Sequence, residues 1–228
     1  MLTNTATAPA PDTAPDTAPA PDNALTAPAD QMLAVLHALT LHASKDAARP
    51  VLCNIRIANE NGAVVMVTAT GYTLAKWKAQ SDTDSGWNYS GDPQIIDAHA
   101  VVKAAKTICK TKRWSLATLT FNETDKRWTL SNSHLDEQIT GAYPDSCAAE
   151  FPLYDRVIPR PAEYGQHKID GKPAAYNPNL LANICNSAAY ITDSAMQCRI
   201  MSNTGASVFT ASGCNGELTL VIMPMNIS

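Results

Sequence analysis

Val221-Ile222-Met223-Pro224-Met225-Asn226-Ile227-Ser228 stands at the carboxyl end of a sequence of 228 residues. Chain ends are mostly polar and loosely held, so an apolar run with two methionines around a proline asks for a packing partner. Pro224 has no backbone donor, which suits the end of an edge strand better than a central strand. Methionine side chains are flexible and polarisable, and a surface built from them adapts to several peptide partners. The plainer alternative is that the run closes the hydrophobic core.

Working outward from this end, one pattern recurs. In the third and last unit a short strand is expected over 174–176 and a helix over 177–187. Strands follow over 195–202, 207–211 and 217–223. Asn177 is suited to cap that helix and Pro178 to its first position. Unit two has a strand over 94–97, a helix from 97 or 98 to 110, and strands over 115–122, 127–131 and 138–143. Unit one has a helix over 30–44, with Met32, Leu33, Leu36, Leu39 and Leu41 forming an apolar stripe. Its strands are expected over 51–58 and 63–69, around an Asn61-Gly62 hairpin turn, and over 73–80. The repeat is β-α-β-β-β. One such unit cannot bury both its sheet and its helix, so units are expected to pair.

Composition bounds the function. Hydrophobic residues make up 45% of the chain, enough for a substantial core, and the formal net charge is -4. A uniformly basic nucleic-acid coat is excluded, but a local basic surface is not. The stretch up to residue 28 is built mostly from Pro, Ala, Thr and Asp and is expected to be a solvated tail. It has neither the basic start nor the apolar run of a signal peptide. No apolar stretch is long enough to span a membrane. The six cysteines have no Cys-x-x-Cys or zinc-type spacing. They read as reduced and mostly buried, as in a reducing compartment, so a cytoplasmic location is expected. No metal or cofactor is expected. Nothing resembles a nucleophile with its base, a phosphate-binding loop or a dinucleotide fingerprint, so an enzyme is not expected. Asp82 with Asp84, and Asp136 with Glu137, read as solvated loops. His99 and His134 have no nucleophile or metal partner nearby in the sequence.

Two internal stretches join the carboxyl end. One is Val67-Thr68-Ala69-Thr70-Gly71-Tyr72-Thr73-Leu74-Ala75; the other is Phe151-Pro152-Leu153-Tyr154-Asp155-Arg156-Val157-Ile158-Pro159. With the Met-Pro-Met ending, and in the same order, they resemble the bacterial DNA sliding clamp, the ring-shaped processivity subunit of the replicative polymerase. In that family a strand ends in Ala-Thr-Asp-Gly-x-x-Leu-Ala, a linker reads Phe-Pro-x-Tyr-x-Arg-Val-Ile/Leu-Pro, and the chain finishes Met-Pro-Met-Arg-Leu. Thr70, Thr73 and Asn226 stand where the family has aspartate, arginine and a basic residue. The resemblance covers about residues 30 to 228. It implies an α+β DNA-clamp fold of about one and a half clamp domains. A tail (1–28) would precede a clamp domain of two units (29–159), a linker (160–171) and a half domain (172–228). A typical bacterial clamp chain has six units, and this one has three. If a ring needs about twelve helices, four copies supply them, so a homo-oligomer, a tetramer by unit count, is expected.

The resemblance also implies a peptide pocket. Leu52, within Arg49-Pro50-Val51-Leu52, would line it with Gly71, Thr73 and Leu74 of the turn. Pro152, Arg156 and Val157 of the linker would join them, with Val221, Met223 and Met225 of the ending. Its partners would be a DNA polymerase and a clamp loader. The charge pattern adds a DNA face on physical grounds. Lys103, Lys106 and Lys110 share one side of the unit-two helix, and Lys112 and Arg113 continue past its end. Lys45 and Arg49 follow the first helix. Such cations hold duplex phosphates without reading sequence. The third helix has no cation. Two functions therefore stand open: a clamp that encircles DNA, or a clamp-like adaptor or decoy that binds the same peptides without encircling. The trimmed size suits a phage or plasmid replication system.

Overall fold

The computed structural model describes residues 23–81, 85–110, 115–144, 151–160, 174–200 and 205–225. Three units follow one another. Unit one is β1 (Ala24–Pro28), α1 (Ala29–Thr40), β2 (Asn54–Glu60), β3 (Ala63–Ala69) and β4 (Thr73–Ala79). Unit two is β5 (Gln94–Asp97), α2 (Ala98–Ile108), β6 (Leu116–Asn122), β7 (Arg127–Asn132) and β8 (Leu135–Ala142). Unit three is α3 (Pro178–Ile191), β9 (Gln197–Arg199), β10 (Ser207–Gly213) and β11 (Gly216–Ile222).

Units one and two exchange their leading strands. β1 runs antiparallel to β6, with Leu25 opposite Leu119. β5 runs antiparallel to β2, with Ile55 opposite Ile96. The strands form a four-stranded sheet, β1-β6-β7-β8, and a seven-stranded sheet, β5-β2-β3-β4-β11-β10-β9. The second sheet is continuous because β4 pairs with β11 along its whole length, from Gly216 opposite Ala79 to Ile222 opposite Thr73. The three helices lie on one side of the sheets, with α1 packed against both α2 and α3.

β3 explains why one stretch reads as continuously apolar. Val64 and Met66 face the main core beneath the helices, whereas Val65, Val67 and Ala69 face a smaller cluster on the opposite side of the sheet. A strand covered on both faces has no polar side to alternate. Asn61 and Gly62 turn the β2–β3 hairpin with φ of 55° and 83°, the left-handed pair that a two-residue hairpin turn requires.

Several expectations are corrected. The tail was expected to reach residue 28, yet Ala24–Pro28 is a buried strand. Leu25 and Ala27 enter the core, and β6 supplies the ladder hydrogen bonds. β11 is central, not an edge; Pro224 lies beyond its last residue and removes no ladder bond. Asp136 and Glu137 belong to β8 rather than a loop. Among the described residues, the segment at 174–176 forms a bridge, Ala175 to Met225, and no strand. Of the cysteines, Cys109 is buried, Cys53 and Cys214 are half-buried, and Cys185 and Cys198 are exposed; all five are free. Cys147, Asp82 and Asp84 lie outside the described residues.

Candidate functional site: an apolar pocket and a basic face

The pocket forms where β4 meets β11. Val221 sits opposite Leu74, and the Met223 amide donates to the Tyr72 carbonyl at 2.9 Å. On this outer face of the sheet the segment 151–158 lies across the strands. Phe151 and Ile158 pack against the cluster of Val65, Val67, Ala69, Leu74, Tyr154 and Val221. Between linker and sheet is a cavity of about 180 Å³. Leu52, Gly71, Thr73, Leu74, Pro152, Val157, Val221 and Met223 line it, together with Ala69, Tyr72, Phe151 and Tyr154. The first eight were expected from the sequence. The last four lie inside the same two motifs, yet reading the motifs alone did not single them out.

Two expected members are elsewhere. Arg156 is exposed at the end of a single 3-10 turn, Tyr154–Arg156, and does not line the cavity. The Met225 amide is held by the Ala175 carbonyl at 2.7 Å, and its side chain is exposed away from the lining. Tyr72, Val157 and Met223 present apolar surface to solvent at the rim. Exposed apolar side chains gathered around one concavity mark a binding site more often than scattered ones do.

Gly71 is needed where it stands. Its φ is +96°, and a Cβ there would lie 3.2 Å from Arg49 Nη1. The turn is closed by Thr70, whose hydroxyl accepts from the backbone amides of Tyr72 (3.2 Å) and Thr73 (3.1 Å). A threonine side chain thus supplies the local backbone cap that an aspartate gives in an Asx-type turn.

Tyr154 anchors the linker. Its hydroxyl donates to Glu60 and accepts from Arg56 Nη1 at 3.1 Å. Lys76 Nζ stands 4.9 Å from its ring centroid and bridges Glu60 (3.5 Å) and Asp155 (3.1 Å). Burial opposes ionisation of Glu60. The hydrogen bond from Tyr154 and the charges of Lys76 and Arg56 outweigh it, so the pKa falls below its usual value. Burial first, and then the Glu60 bond, push the Tyr154 hydroxyl up. The wall of the pocket is therefore pinned by a neutral phenol between a carboxylate and a guanidinium.

The cations lie on the helix side of the sheets. Lys103 and Lys106 are exposed on α2 and Lys110 just past its end, since the helix stops at Ile108 rather than at 110. Lys45 and Arg49 sit in the loop after α1. With Lys106, His37 and His99 they surround a cleft of about 810 Å³ between that loop and the helices. Burial, and then the charge of Lys106, lower the pKa of His37. Arg49 is partly offset by Asp46 at 3.9 Å. Lys103, on the same helix, and Lys110, just past its end, lie outside the cleft. Lys112 and Arg113 lie outside the described residues.

The apolar notch lies on the outer face of the sheet and the cations lie on the helix face, on a fold that solved structures share. That fold is the DNA sliding-clamp fold. The DNA polymerase III beta subunit of Thermotoga maritima matches with a TM-score of 0.65 at 14% identity, over 95% of this chain and 69% of that one. The sliding clamp of Bacillus subtilis matches with a TM-score of 0.65 at 12% identity, over 91% of this chain and 65% of that one. A structure of A. fulgidus PCNA with the C-terminal region of FEN-1 matches with a TM-score of 0.62 at 11% identity, over 90% of this chain and 99% of that one. No protein-family model and no curated protein sequence matches the chain.

Proposed function

We propose that this chain is a shortened sliding clamp, a polymerase processivity factor without chemistry of its own. Copies of it encircle duplex DNA, and the outer pocket holds peptide motifs of a polymerase and a clamp loader. One observation carries the reading: the apolar pocket at the β4–β11 seam is on the opposite side of the sheet from the Lys103–Lys106–Lys110 row. Peptide and phosphate can then be held at once. The A. fulgidus PCNA structure, which holds the C-terminal region of FEN-1, supports a peptide-holding role for the fold.

A second reading keeps the pocket and drops the ring: an adaptor or decoy that competes for partner peptides. The residues of α3, PNLLANICNSAAYI, favour it, because they bring no cation to the helix face.

The two faces are separable by experiment. Val157→Asp and Met223→Asp should each lower the affinity for labelled apolar hexapeptides by at least about tenfold, measured by fluorescence anisotropy. Both side chains are exposed, so the thermal midpoint should hold. Lys103→Glu, Lys106→Glu and Lys110→Glu together should leave peptide binding intact and remove salt-dependent binding to duplex DNA. Unchanged peptide affinity in both aspartate variants overturns the assignment of the pocket.

A further inference from the structure

Among the described residues, units one and two complete one another and unit three has no partner unit. In the first pair, each unit's first strand after its helix is covered by the other unit's leading strand, β2 by β5 and β6 by β1. The equivalent strand of unit three is β9, which ends the seven-stranded sheet. Among the described residues its leading segment makes one bridge, Ala175 to Met225. The helix layer is one-sided in the same way. α3 is held to α1 on one flank, where Ser187 meets His42, Asn183 Nδ2 donates to the Leu41 carbonyl at 3.2 Å, and Tyr190 stacks on His37 at 4.8 Å. On its other flank Ala182, Cys185, Asn186 and Ala189 are exposed.

That flank is unlike a solvated helix face. The exposed face of α2 carries Lys103 and Lys106, whereas α3 has no charged residue from Pro178 to Ile191. α1 lies over β3 and β4 and α3 over β10 and β11, so the bare flank faces the β9 end of the sheet. There Cys198 and Ile200 are also exposed. Edge strands and neutral small-residue faces left open invite pairing.

We propose that the open side of unit three is the face on which a second copy of this chain docks, unit three against unit three about a two-fold axis. A two-fold contact uses the same patch on both copies, and residues near the axis meet their own counterparts, so a charge there is repelled by its copy; a flank without charge avoids that repulsion. Asp193 and Arg199, which border it, have opposite signs. The template is already in the molecule: the segment before one α3 would cover the other copy's β9, as β1 covers β6. The helices would meet through Ala182, Cys185 and Ala189. Two chains joined this way share a third complete pair of units. This extends the proposed ring reading by naming the face through which copies meet, and it rests on that reading only for its purpose.

Sedimentation velocity tests it, because mass action makes assembly concentration-dependent. At about 50 micromolar the native chain should sediment as a dimer or a multiple of one. Ala182→Glu with Ala189→Glu should halve that mass, with circular dichroism and peptide binding unchanged. A chain carrying Ala189→Lys should pair with one carrying Ala189→Glu and restore the mass. A native chain that stays monomeric overturns the inference, as does a double variant with the native mass. A dimer that the double variant breaks but that never stays on circular DNA keeps this interface and sinks the ring.

Discussion

At the scale of single residues, Tyr154 shows how an unremarkable position in a linker becomes structural. Its ring packs in the outer cluster and its hydroxyl joins Glu60 to Arg56. Tyr154→Phe would keep the packing and leave a half-buried carboxylate one donor short. Losing such a bond costs about 1 to 2 kcal/mol, and urea unfolding should report it. Because the Glu60 pKa is depressed in the folded chain, its contribution is present above the ordinary carboxylate pKa. It fades as pH falls through the lower folded value, so the difference between native and variant should shrink in acid. The expected pocket residues were legible through the resemblance: Gly71, Leu74 and Met223 stand in the three short motifs that are similar to those of the clamp family. Tyr154 and Phe151 were missed as pocket members because aromatics between prolines read equally well as ordinary packing. Arg156 was misplaced because a 3-10 turn rotates successive side chains by about 120°, which sends it away from the cavity that Val157 faces.

At the scale of elements, the helix–helix contact between α1 and α3 turns on a buried histidine. Ser187 Oγ donates its proton to the Ala38 carbonyl at 2.8 Å. It must therefore accept from His42 Nε2, 3.0 Å away. This leaves His42 Nδ1 bare and without a partner. Burial pushes the pKa down to about 4 from 6.5. The unfolded chain thus binds a proton that the folded chain refuses. Stability should be unaffected above pH 6.5 and should fall as pH drops from there towards 4, by about 3 kcal/mol in all. Urea midpoints across that range measure it, and His42→Leu should flatten the slope. If the native slope persists in that variant, the junction is not the sensor. The elements themselves were mostly readable. The Asn61-Gly62 turn, the Asn177-Pro178 start and the amphipathic α2 carry local signals. β1 was hidden because Ala24-Leu25-Thr26-Ala27-Pro28 differs little from the Pro- and Ala-rich residues before it. Its strand state comes from β6, where Leu25 pairs with Leu119, 94 positions further along the chain, and no local pattern announces a distant partner.

At the scale of the whole molecule, three units place an apolar pocket outside and a cationic row on the helix side. The row is uneven: α2 and the loop after α1 carry the charge, and α3 carries none. Duplex DNA held by such a lining would be gripped weakly and would slide, since phosphate contacts carry no sequence information. A closed path around the duplex, not affinity, would then account for retention. The most direct measurement loads the native chain onto a nicked circular plasmid with a clamp loader, isolates the complex and cuts the circle once. The account predicts retention on the closed circle and release on linearisation, with Lys103→Glu, Lys106→Glu and Lys110→Glu together preventing retention. Protein that remains on the linear duplex as it did on the circle would contradict encirclement and leave the adaptor reading in its place.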